Sequence, residues 1–424
     1  MNEIYVEKFG GASVNSAQAI INVSTILRSE NKKRVIIISA MGKTTNNLET
    51  ILHYFCEHSK IDYTTIELSK GYHQEIIDEL FPSKNQFLEN FLDETYKEII
   101  EKLTSSNGKP YDMIYDMIVS FGEIIGTTII SKYFESINLK HNLVYANDII
   151  RTNNSFRRAK VLWKETKDNI ANDIKPLFLD ADLIITQGFI SGTESKETTT
   201  LGREGSDFSA AIFAYCLDAI NVVIWKDVAG LLNADPKYFE NTQKFEQVPY
   251  NEAIELAYYG ASIIHPKTIK PLENKSIPLY IKSFLSPEEK GTKIDCCSET
   301  LPLMPSYIFK DSQTLLSIFP KDFSFIVEEN IANIFSLFAS YGIKINLMQN
   351  SAISYSVCFD TIQKHLLQKL ISELSPSYSI KYNNNLRLIT IRRYSEEAIK
   401  DLIQDKEIII EQRSRLTAQF LVKL

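Results

Sequence analysis

Residues 188–211 bring a strand end, a polar loop and a helix start close together in the sequence. Gly188 stops an apolar strand, while Ser206 and Asp207 precede an apolar run and favour a helix start there. A helix N-terminus presents unpaired N–H groups and the positive end of the helix dipole, so this loop, which also carries Arg203, suits an anion. An ordinary surface loop before a capped helix fits the spacing equally well.

A second candidate site follows the first predicted strand, residues 4–9, which runs directly into Gly10 and Gly11. Glycines at a strand-to-helix turn let backbone N–H groups approach a phosphate closely, and Lys8 can supply a localised positive charge. Paired glycines after a strand are common, however, and Lys8 could equally be a solvated edge residue.

Other polar side chains also follow predicted strands or begin helices. Ser39 and Thr45 lie at and after the end of a buried strand, where open α/β sheets bind ligands. Glu123 begins a helix, where a carboxylate either stabilises the dipole or binds a substrate ammonium group. Asp227 follows another strand and is either an ordinary turn carboxylate or a ligand of Mg²⁺ or of a nucleotide hydroxyl.

The elements that must position these residues alternate as strand, loop and helix at least five times, and the strands are continuously apolar. This pattern predicts an α/β fold, a mostly parallel sheet with helices on both faces. The carboxyl ends of its strands would gather the candidate residues at one edge: Lys8, Ser39, Glu123, Arg203 and Asp227.

Helices are predicted over residues 48–103, with Pro82 as the chief break. We interpret His53, His58 and His73 in this region as solvated side chains rather than ligands.

A domain boundary is predicted at 286–303, because residues 286–305 contain three prolines and many polar residues. Residues 1–285 would form the sheet domain. Residues 304–424 would form two ferredoxin-like α+β units, since strands and helices there follow the order βαββαβ and then begin it again. The first unit would cover about 312–383, and the second would combine 304–311 with 384–424.

The composition of the chain is that of a soluble globular protein, with 424 residues, 44% hydrophobic residues and a net charge of −7. The negative charge argues against general nucleic-acid binding. The absence of a long apolar run and of an N-terminal signal pattern predicts a cytoplasmic protein without a membrane partner. The five cysteines match no metal-ligand spacing, so we expect reduced thiols.

Four segments together resemble the signatures of aspartate kinases in the amino-acid kinase family, and the resemblance covers essentially the whole chain. Residues 8–13 (KFGGAS) are similar to KFGGTS, and 188–190 with 198–209 (TTTLGREGSDFS) are similar to GFIG and TTTLGRGGSD. Residues 225–228 with 234–236 resemble WTDV and ADP, and 260–266 resembles GAKVLHP. The two C-terminal units resemble the tandem ACT domains of this family, which bind effector amino acids.

The resemblance implies transfer of the ATP γ-phosphoryl group to the β-carboxylate of L-aspartate, with Mg²⁺ as cofactor. The phosphates would be held by Lys8, Gly10 and Gly11, with Asp207 organising Lys8 or the metal. Further nucleotide contacts would come from Lys226, Asp227, Leu232, Lys237 and Ser262. The aspartate pocket would be formed by Ser39, Thr45, Glu123, Phe189, Arg203 and Ser206.

Several positions depart from the family pattern. Glu204 replaces a frequent glycine beside the anion site, so we expect its side chain to point away. Ser262 replaces a lysine that frequently contacts the phosphates, and Lys226, usually threonine, could partly compensate.

The effector contacts implied for the first ACT unit are Asn346, Met348 and Ser351. Asn346 and Ala352 stand where lysine-sensitive relatives carry acidic residues, so a cationic effector would lack partners. The resemblance also implies a homodimer, since ACT units usually pair across a symmetry axis.

Two alternatives stay open from the sequence. The chain could be another amino-acid kinase, acting on glutamate, carbamate or a nucleotide. It could also be a catalytically silent effector-binding protein that kept the fold.

Overall fold

The computed structural model describes residues 3–30, 32–261, 264–296, 304–322 and 324–424. The chain divides into two compact units. The first comprises residues 1–231, 244–257 and 262–300, and the second comprises 232–243, 258–261 and 301–424. Ser262, which the resemblance implies as a nucleotide contact, and Cys297, one of the five cysteines, lie outside the described residues.

The first unit contains a sheet with the strand order β3-β4-β2-β1-β7-β9-β10-β8 and a separate hairpin, β5-β6. Neighbouring strands of the large sheet run parallel except β9 and β10, which are antiparallel. The strand bounds are β1 Ile4–Phe9, β2 Lys33–Ile38, β3 His141–Val144, β4 Leu183–Gln187, β5 Ile190–Gly192, β6 Thr198–Thr200, β7 Asn221–Lys226, β8 Gln247–Pro249, β9 Leu279–Ser283 and β10 Thr292–Asp295.

Helices connect these strands and cover the sheet. Their bounds are α1 Ala17–Arg28, α2 Thr44–His58, α3 Tyr63–Leu80, α4 Gln86–Thr104, α5 Tyr111–Val119, α6 Phe121–Ser136, α7 Ala146–Ile149, α8 Trp163–Asn169, α9 Gly205–Leu217, α10 Tyr250–Tyr259 and α11 Pro266–Glu273. Short 3₁₀ or π turns occupy Gly11–Val14, Ile170–Ile174 and Lys175–Leu179.

The continuously apolar sequence of strand β2 is explained by its burial in the sheet. Val35, Ile36, Ile37 and Ile38 are all fully buried, although successive side chains point to opposite faces of a strand. Both faces of the sheet are therefore covered, as predicted for a parallel sheet flanked by helices. The predicted fold class is confirmed.

A buried polar network ties together the three central strands that lead into the candidate site. The guanidinium Nε of Arg34 on β2 lies 2.9 Å from Oε1 of Glu7 on β1, and Trp225 on β7 donates from Nε1 to Oε2 of Glu7 at 2.8 Å. Burial raises the pKa of the Glu7 carboxyl, although Arg34 and Trp225 pull it down. The charge at position 7 therefore depends on both partners staying in place.

Residues 111–136 are long and apolar enough, by composition, to cross a membrane. Of the most apolar window in this stretch, 78% is buried within the fold. Its apolar character is therefore accounted for by packing in the protein core.

Three helices, α2, α3 and α4, occupy the region predicted to be helical around Pro82, which lies between α3 and α4. His53 and His58 are exposed, but the expectation that His73 is solvated is wrong, because its side chain is fully buried. It lies on the apolar face of α3, and its two ring nitrogens are held by hydrogen-bond partners within the protein.

Part of the predicted linker 286–303 belongs to the first sheet. Residues 292–295 form β10, which pairs with both β9 and β8. Prolines and polar residues around this short strand hid its pairing in the sequence. Four described cysteines, Cys56, Cys216, Cys296 and Cys358, are free thiols.

The second unit is built on one sheet with the order β12-β13-β11-β14-β16-β15, in which neighbouring strands are antiparallel. The first part of β11, residues 306–310, pairs with 388–392 of β14, and the second part, 313–320, pairs with 378–386. The bounds are β11 Ser306–Pro320, β12 Ile345–Asn350, β13 Tyr355–Asp360, β14 Tyr378–Arg392, β15 Ile408–Arg413, β16 Thr417–Lys423, α12 Glu328–Ser340, α13 Lys364–Leu374 and α14 Glu396–Ile403.

Replacing Arg34 by methionine should destabilise the first unit by about 3 kcal/mol at pH 8, because it leaves the Glu7 carboxylate buried without its cationic partner. The loss should be smaller at pH 5, because the Glu7 carboxyl, whose pKa is raised by burial, is neutralised by a proton more readily at pH 5 than at pH 8. Urea unfolding at both pH values measures the difference.

The matched control is the double variant Arg34→Met/Glu7→Leu, which removes both charges. It should recover most of the lost stability at pH 8. Equal losses for the single variant at pH 5 and pH 8 would contradict an electrostatic origin.

Candidate active site

The candidate site lies at the carboxyl ends of four neighbouring parallel strands, β4, β2, β1 and β7. Lys8 is the penultimate residue of β1, Ser39 follows β2, Gly188 follows β4, and Lys226 ends β7. The N-terminal turn of α9 meets the same edge. The topology therefore unites segments that are more than 200 residues apart in the sequence.

Asp207, in the first turn of α9, holds two lysines. Its Oδ1 lies 2.6 Å from Nζ of Lys8, and its Oδ2 accepts a hydrogen bond from Nζ of Lys226 at 3.1 Å. Asp207 is fully buried, and Lys8 is only 5% exposed. The carboxylate thus fixes two ammonium groups side by side.

The electrostatics of this triad favour the charged forms. Burial acts to raise the pKa of the Asp207 carboxyl, but Lys8 and Lys226 outweigh it and hold the pKa below its usual range. Burial acts to lower the pKa of Lys226, but the attraction of Asp207 and Glu204 outweighs burial and raises this pKa. One anion and two cations leave a net positive charge in the triad, which favours an anionic ligand but is partly offset by the Glu204 carboxylate near Lys226.

Glu204 lies immediately before α9 with a left-handed backbone, at a φ of 54°. The left-handed backbone region favours glycine, and relatives with the similar sequence pattern frequently carry glycine at this position. Its Oε2 lies 3.8 Å from Nζ of Lys226. The side chain therefore faces the lysine, contrary to the expectation that it points away.

Glu123, in the first turn of α6, is 3% exposed and presents one carboxyl oxygen without a partner among the described residues. Its Oε1 accepts a hydrogen bond from the backbone N–H of Ala40 at 3.4 Å, whereas Oε2 has no hydrogen bond. Burial raises its pKa to about 8, against the lowering effects of the Ala40 N–H and of Lys8. A buried acceptor without a partner is a place where a ligand donor fits.

The glycine turn after β1 packs closely on the loop after β2. A side chain at Gly11 would stand 2.9 Å from the carbonyl oxygen of Ala40, and one at Gly10 would stand 3.3 Å from Nζ of Lys8. Ser13, in the same turn, is 1% exposed, and its hydroxyl has no partner in the described part of the chain. We did not single out Ser13 from the sequence, although it lies within the KFGGAS segment.

Gly188 and Gly205 allow two loops to meet in the predicted aspartate pocket. A Cβ atom at Gly188 would lie 2.5 Å from Cβ of Ser206, and one at Gly205 would lie 2.5 Å from the ring of Phe189. Phe189 has a φ of 66°, and its N–H donates to the Ser209 hydroxyl at 3.0 Å. Ser206 is thereby held against the end of β4.

Arg203 is exposed, and no carboxylate of the described residues pairs with it. The strand that leads towards it is anchored by Asp116, a buried residue of α5 that sequence reasoning missed. Asp116 accepts hydrogen bonds from the N–H and the hydroxyl of Thr200, at 2.9 and 2.6 Å, and from the N–H of Arg157 at 2.8 Å. Arg203 therefore projects from an anchored loop.

The remaining predicted residues divide between the two units. Thr45 lies in the first turn of α2, and Asp227 is exposed just beyond β7. Leu232 and Lys237 belong to segment 232–243 of the second unit.

The predicted effector residues lie on and after β12 in the second unit. The Asn346 amide has two charged partners. Lys310 Nζ donates to Asn346 Oδ1 at 2.9 Å, and Asn346 Nδ2 donates to Asp360 Oδ1 at 2.9 Å. Met348 is 48% exposed, and the Ser351 hydroxyl contacts that of Ser354 at 2.6 Å. Sequence reasoning missed the Asp360 carboxylate because it comes from the neighbouring strand β13.

The described residues do not fit a metal site built by the protein alone. No group of three or more His, Cys, Asp or Glu side chains within them could hold a metal ion. Both oxygens of Asp207 face ammonium groups, which repel a cation. We therefore derive no catalytic step through a protein-bound metal.

Comparison with known proteins shows that the chain belongs to the amino acid kinase family, whose model matches residues 3–283. Among its relatives is lysine-sensitive aspartokinase 3 of Escherichia coli K12, which is 28% identical and is aligned over 92% of this chain and 87% of the relative.

Crystal structures of E. coli aspartokinase III are similar over the whole chain. The complex with aspartate and ADP, in the R-state, has a TM-score of 0.85 at 25% identity and covers 99% of this chain and 96% of that one. The complex with lysine and aspartate, in the T-state, has a TM-score of 0.81 at the same identity and coverage.

Replacing Gly188 by alanine should lower the free energy of unfolding by about 1–3 kcal/mol, because the added methyl group would overlap Ser206. Urea unfolding measures the change. Gly71→Ala is the matched control, since Gly71 lies on exposed α3 surface with nothing within 4 Å of the added Cβ. It should be neutral or slightly stabilising, and an equal loss in both variants would contradict the close approach of Gly188 to Ser206.

Proposed function

We propose that the protein is an aspartate kinase, which transfers the γ-phosphoryl group of ATP to the β-carboxylate of L-aspartate and gives 4-phospho-L-aspartate and ADP. The reaction would serve as the first step towards lysine, threonine and methionine. The observation that carries the proposal is the pairing of Lys8 and Lys226 on buried Asp207, close to a buried carboxyl group, Glu123. Similarity to aspartokinases over most of the chain supports the same substrate.

The chemistry requires two anions to meet. An oxygen of the aspartate β-carboxylate forms a bond to the γ-phosphorus, while the bond from that phosphorus to the β,γ-bridging oxygen breaks. ADP leaves with the electron pair. Because both reactants repel each other, catalysis depends on positioning and on positive charge.

The residues of the triad are suited to the phosphoryl donor. Lys8 and Lys226 would contact the phosphates, with N–H groups of the Gly10-Gly11 turn beside them. Asp207 holds both lysines in place without reorganisation during the reaction. Mg²⁺ would accompany ATP on its phosphates, since the described residues offer no group of three or more metal-ligating side chains.

The aspartate pocket would use the residues opposite the phosphates. Glu123 Oε2 would accept the substrate ammonium group, and Arg203 offers a planar fork to a carboxylate. Ser206 and the start of α9 add neutral donors. Ser39, Thr45 and Phe189 would complete the walls of the pocket.

The region 1–285 would carry catalysis, and 304–424 would carry regulation through its two ACT-like units. Leu232, Lys237 and Asp227 are proposed nucleotide contacts from their match to the family pattern. A homodimer and a cytoplasmic location remain predictions from the sequence.

A coupled assay of ADP release tests the proposal with L-aspartate, L-glutamate or no acceptor. Release that depends on aspartate supports it. Release with glutamate instead would favour another amino-acid kinase, and no release with any acceptor would favour a silent effector-binding protein.

Lys8→Ala should lower kcat by about 100-fold or more, because it removes a positive charge from the transferring phosphates. Arg203→Ala should instead raise the KM for aspartate by about tenfold or more, since it removes a charged hydrogen-bond partner of the substrate. Steady-state kinetics separate the two effects. Arg415→Ala, at another exposed arginine, is the control and should keep wild-type kinetics. Wild-type kinetics in Arg203→Ala would refute the assignment of Arg203 to the substrate carboxylate.

Aspartate binding at pH 7 should release close to one proton. Glu123, with a pKa near 8 in the free protein, is mostly protonated at pH 7 and must ionise to accept an ammonium group. The release should fade above pH 9, where the group is already charged. Calorimetry in buffers of different ionisation enthalpy measures it.

The control for this experiment is Glu123→Gln, which keeps the shape of the side chain but cannot ionise. It should bind aspartate more weakly and release no proton. Undiminished proton release in this variant would assign the proton to another group.

Lysine at millimolar concentration should inhibit weakly or not at all. The Lys310 ammonium group already contacts Asn346, and neither Asn346 nor Ala352 carries a charge for a cationic effector. Initial rates with and without lysine provide the measurement. Strong inhibition would show that the effector pocket has been misplaced.

A further inference from the structure

Two adjacent residues of α3, Tyr72 and His73, contact both loops that the proposed function assigns to the substrates. Neither belongs to the predicted site. The Tyr72 hydroxyl donates to the backbone oxygen of Asn15 at 2.8 Å, at the end of the glycine turn after β1. His73 Nε2 lies 3.0 Å from the hydroxyl of Thr44, the residue at which the loop after β2 ends and α2 begins.

The two loops also contact each other. The N–H of Gly42 donates to the carbonyl oxygen of Gly11 at 3.2 Å. Gly42 has a φ of 52°, and a Cβ atom there would stand 2.6 Å from the Tyr72 hydroxyl. Tyr72 therefore lies across the junction of the loops.

His73 is held in one orientation behind this junction. Its Nδ1 lies 2.8 Å from the carbonyl oxygen of Ser69, which can only accept, so Nδ1 carries the proton. Burial lowers the pKa of His73 to about 4, which keeps the imidazole neutral and leaves Nε2 as an acceptor. The single proton of the Thr44 hydroxyl is therefore shared between two acceptors, His73 Nε2 and the carbonyl oxygen of Met41, which lies 2.6 Å away.

Packing alone does not account for these contacts. The apolar residues of α3, among them Ile66, Ile76 and Ile77, already bury the helix in the core. Tyr72 and His73 direct polar atoms to the loops instead. One loop carries Gly10 and Gly11, proposed for the phosphates, and the other carries Ser39 and Thr45, proposed for aspartate.

We infer that Tyr72 and His73 are positioning residues that set the spacing between the phosphate-binding loop and the aspartate-binding loop. The inference rests on the proposed function. Each substrate would still bind to its own loop without them, but the attacking carboxylate and the γ-phosphorus would no longer be aligned. Misplacement of reacting groups by about 1 Å is enough to cost up to 100-fold in rate.

Tyr72→Phe tests the first contact, because it removes only the hydroxyl of a half-buried ring. It should lower kcat by about tenfold or more, while the KM values for ATP and aspartate change less than about twofold. Thr44→Val tests the second contact and should behave likewise, whereas Thr44→Ser, which keeps the hydroxyl, should restore kcat to within about twofold of wild type.

Tyr96→Phe is the matched control. The Tyr96 hydroxyl bonds to Ser69 and His73 within the same buried cluster but contacts neither loop. This variant should lose thermal stability and keep wild-type kcat. Melting temperatures of all variants separate a loss of fold from a loss of alignment.

Wild-type kcat in both Tyr72→Phe and Thr44→Val would overturn the inference. A fall in kcat of Tyr96→Phe equal to theirs would also overturn it, because the effect would then follow general stability. Failure of the proposed function is distinguishable, since the wild-type protein itself would then show no aspartate-dependent release of ADP.

Discussion

The structure depends on one buried carboxylate that holds two lysines at the meeting point of two strands and a helix. Asp207 is fully buried, and its cost of desolvation is offset only because Lys8 and Lys226 approach it at 2.6 and 3.1 Å. The lysines in turn sit at strand ends that parallel pairing brings side by side. The positive charge needed for anion chemistry is therefore set by the fold of the central sheet before any ligand arrives.

Other contacts that tolerate little substitution surround this triad. The Glu7 and Arg34 pair, with Trp225, locks the strands below the site. Gly188 lets Ser206 approach the sheet, and Asp116 anchors the strand before Arg203 through the backbone and hydroxyl of Thr200. Buried polar groups with several partners fix position more firmly than apolar packing does, because each lost hydrogen bond leaves a group without a partner.

Much of the fold could be predicted from the sequence, because apolar strands and amphipathic helices leave periodic patterns. The mostly parallel sheet was predicted from its continuously apolar strands, and the residues at strand ends were predicted to share one edge. Contacts set by tertiary structure could not be read in this way. His73 gave no sign of burial, β10 was hidden among prolines, and Glu204 was expected to avoid the lysine that it faces. Roles for single residues followed from resemblance rather than from periodicity.

The pairing of β11 with β14 constrains the order in which the second unit can form. Residues 306–310 pair with 388–392, about eighty residues further along the chain, and β16 at 417–423 completes the sheet beside them. During synthesis on the ribosome, the β12, β13 and α12 half can assemble early, while the other half must wait for residues 417–423 to emerge. The edge of residues 306–310 is exposed until residues 388–392 emerge, and the far edge of β14 is exposed until β16 emerges, so late translation is the interval in which this protein most needs protection from aggregation.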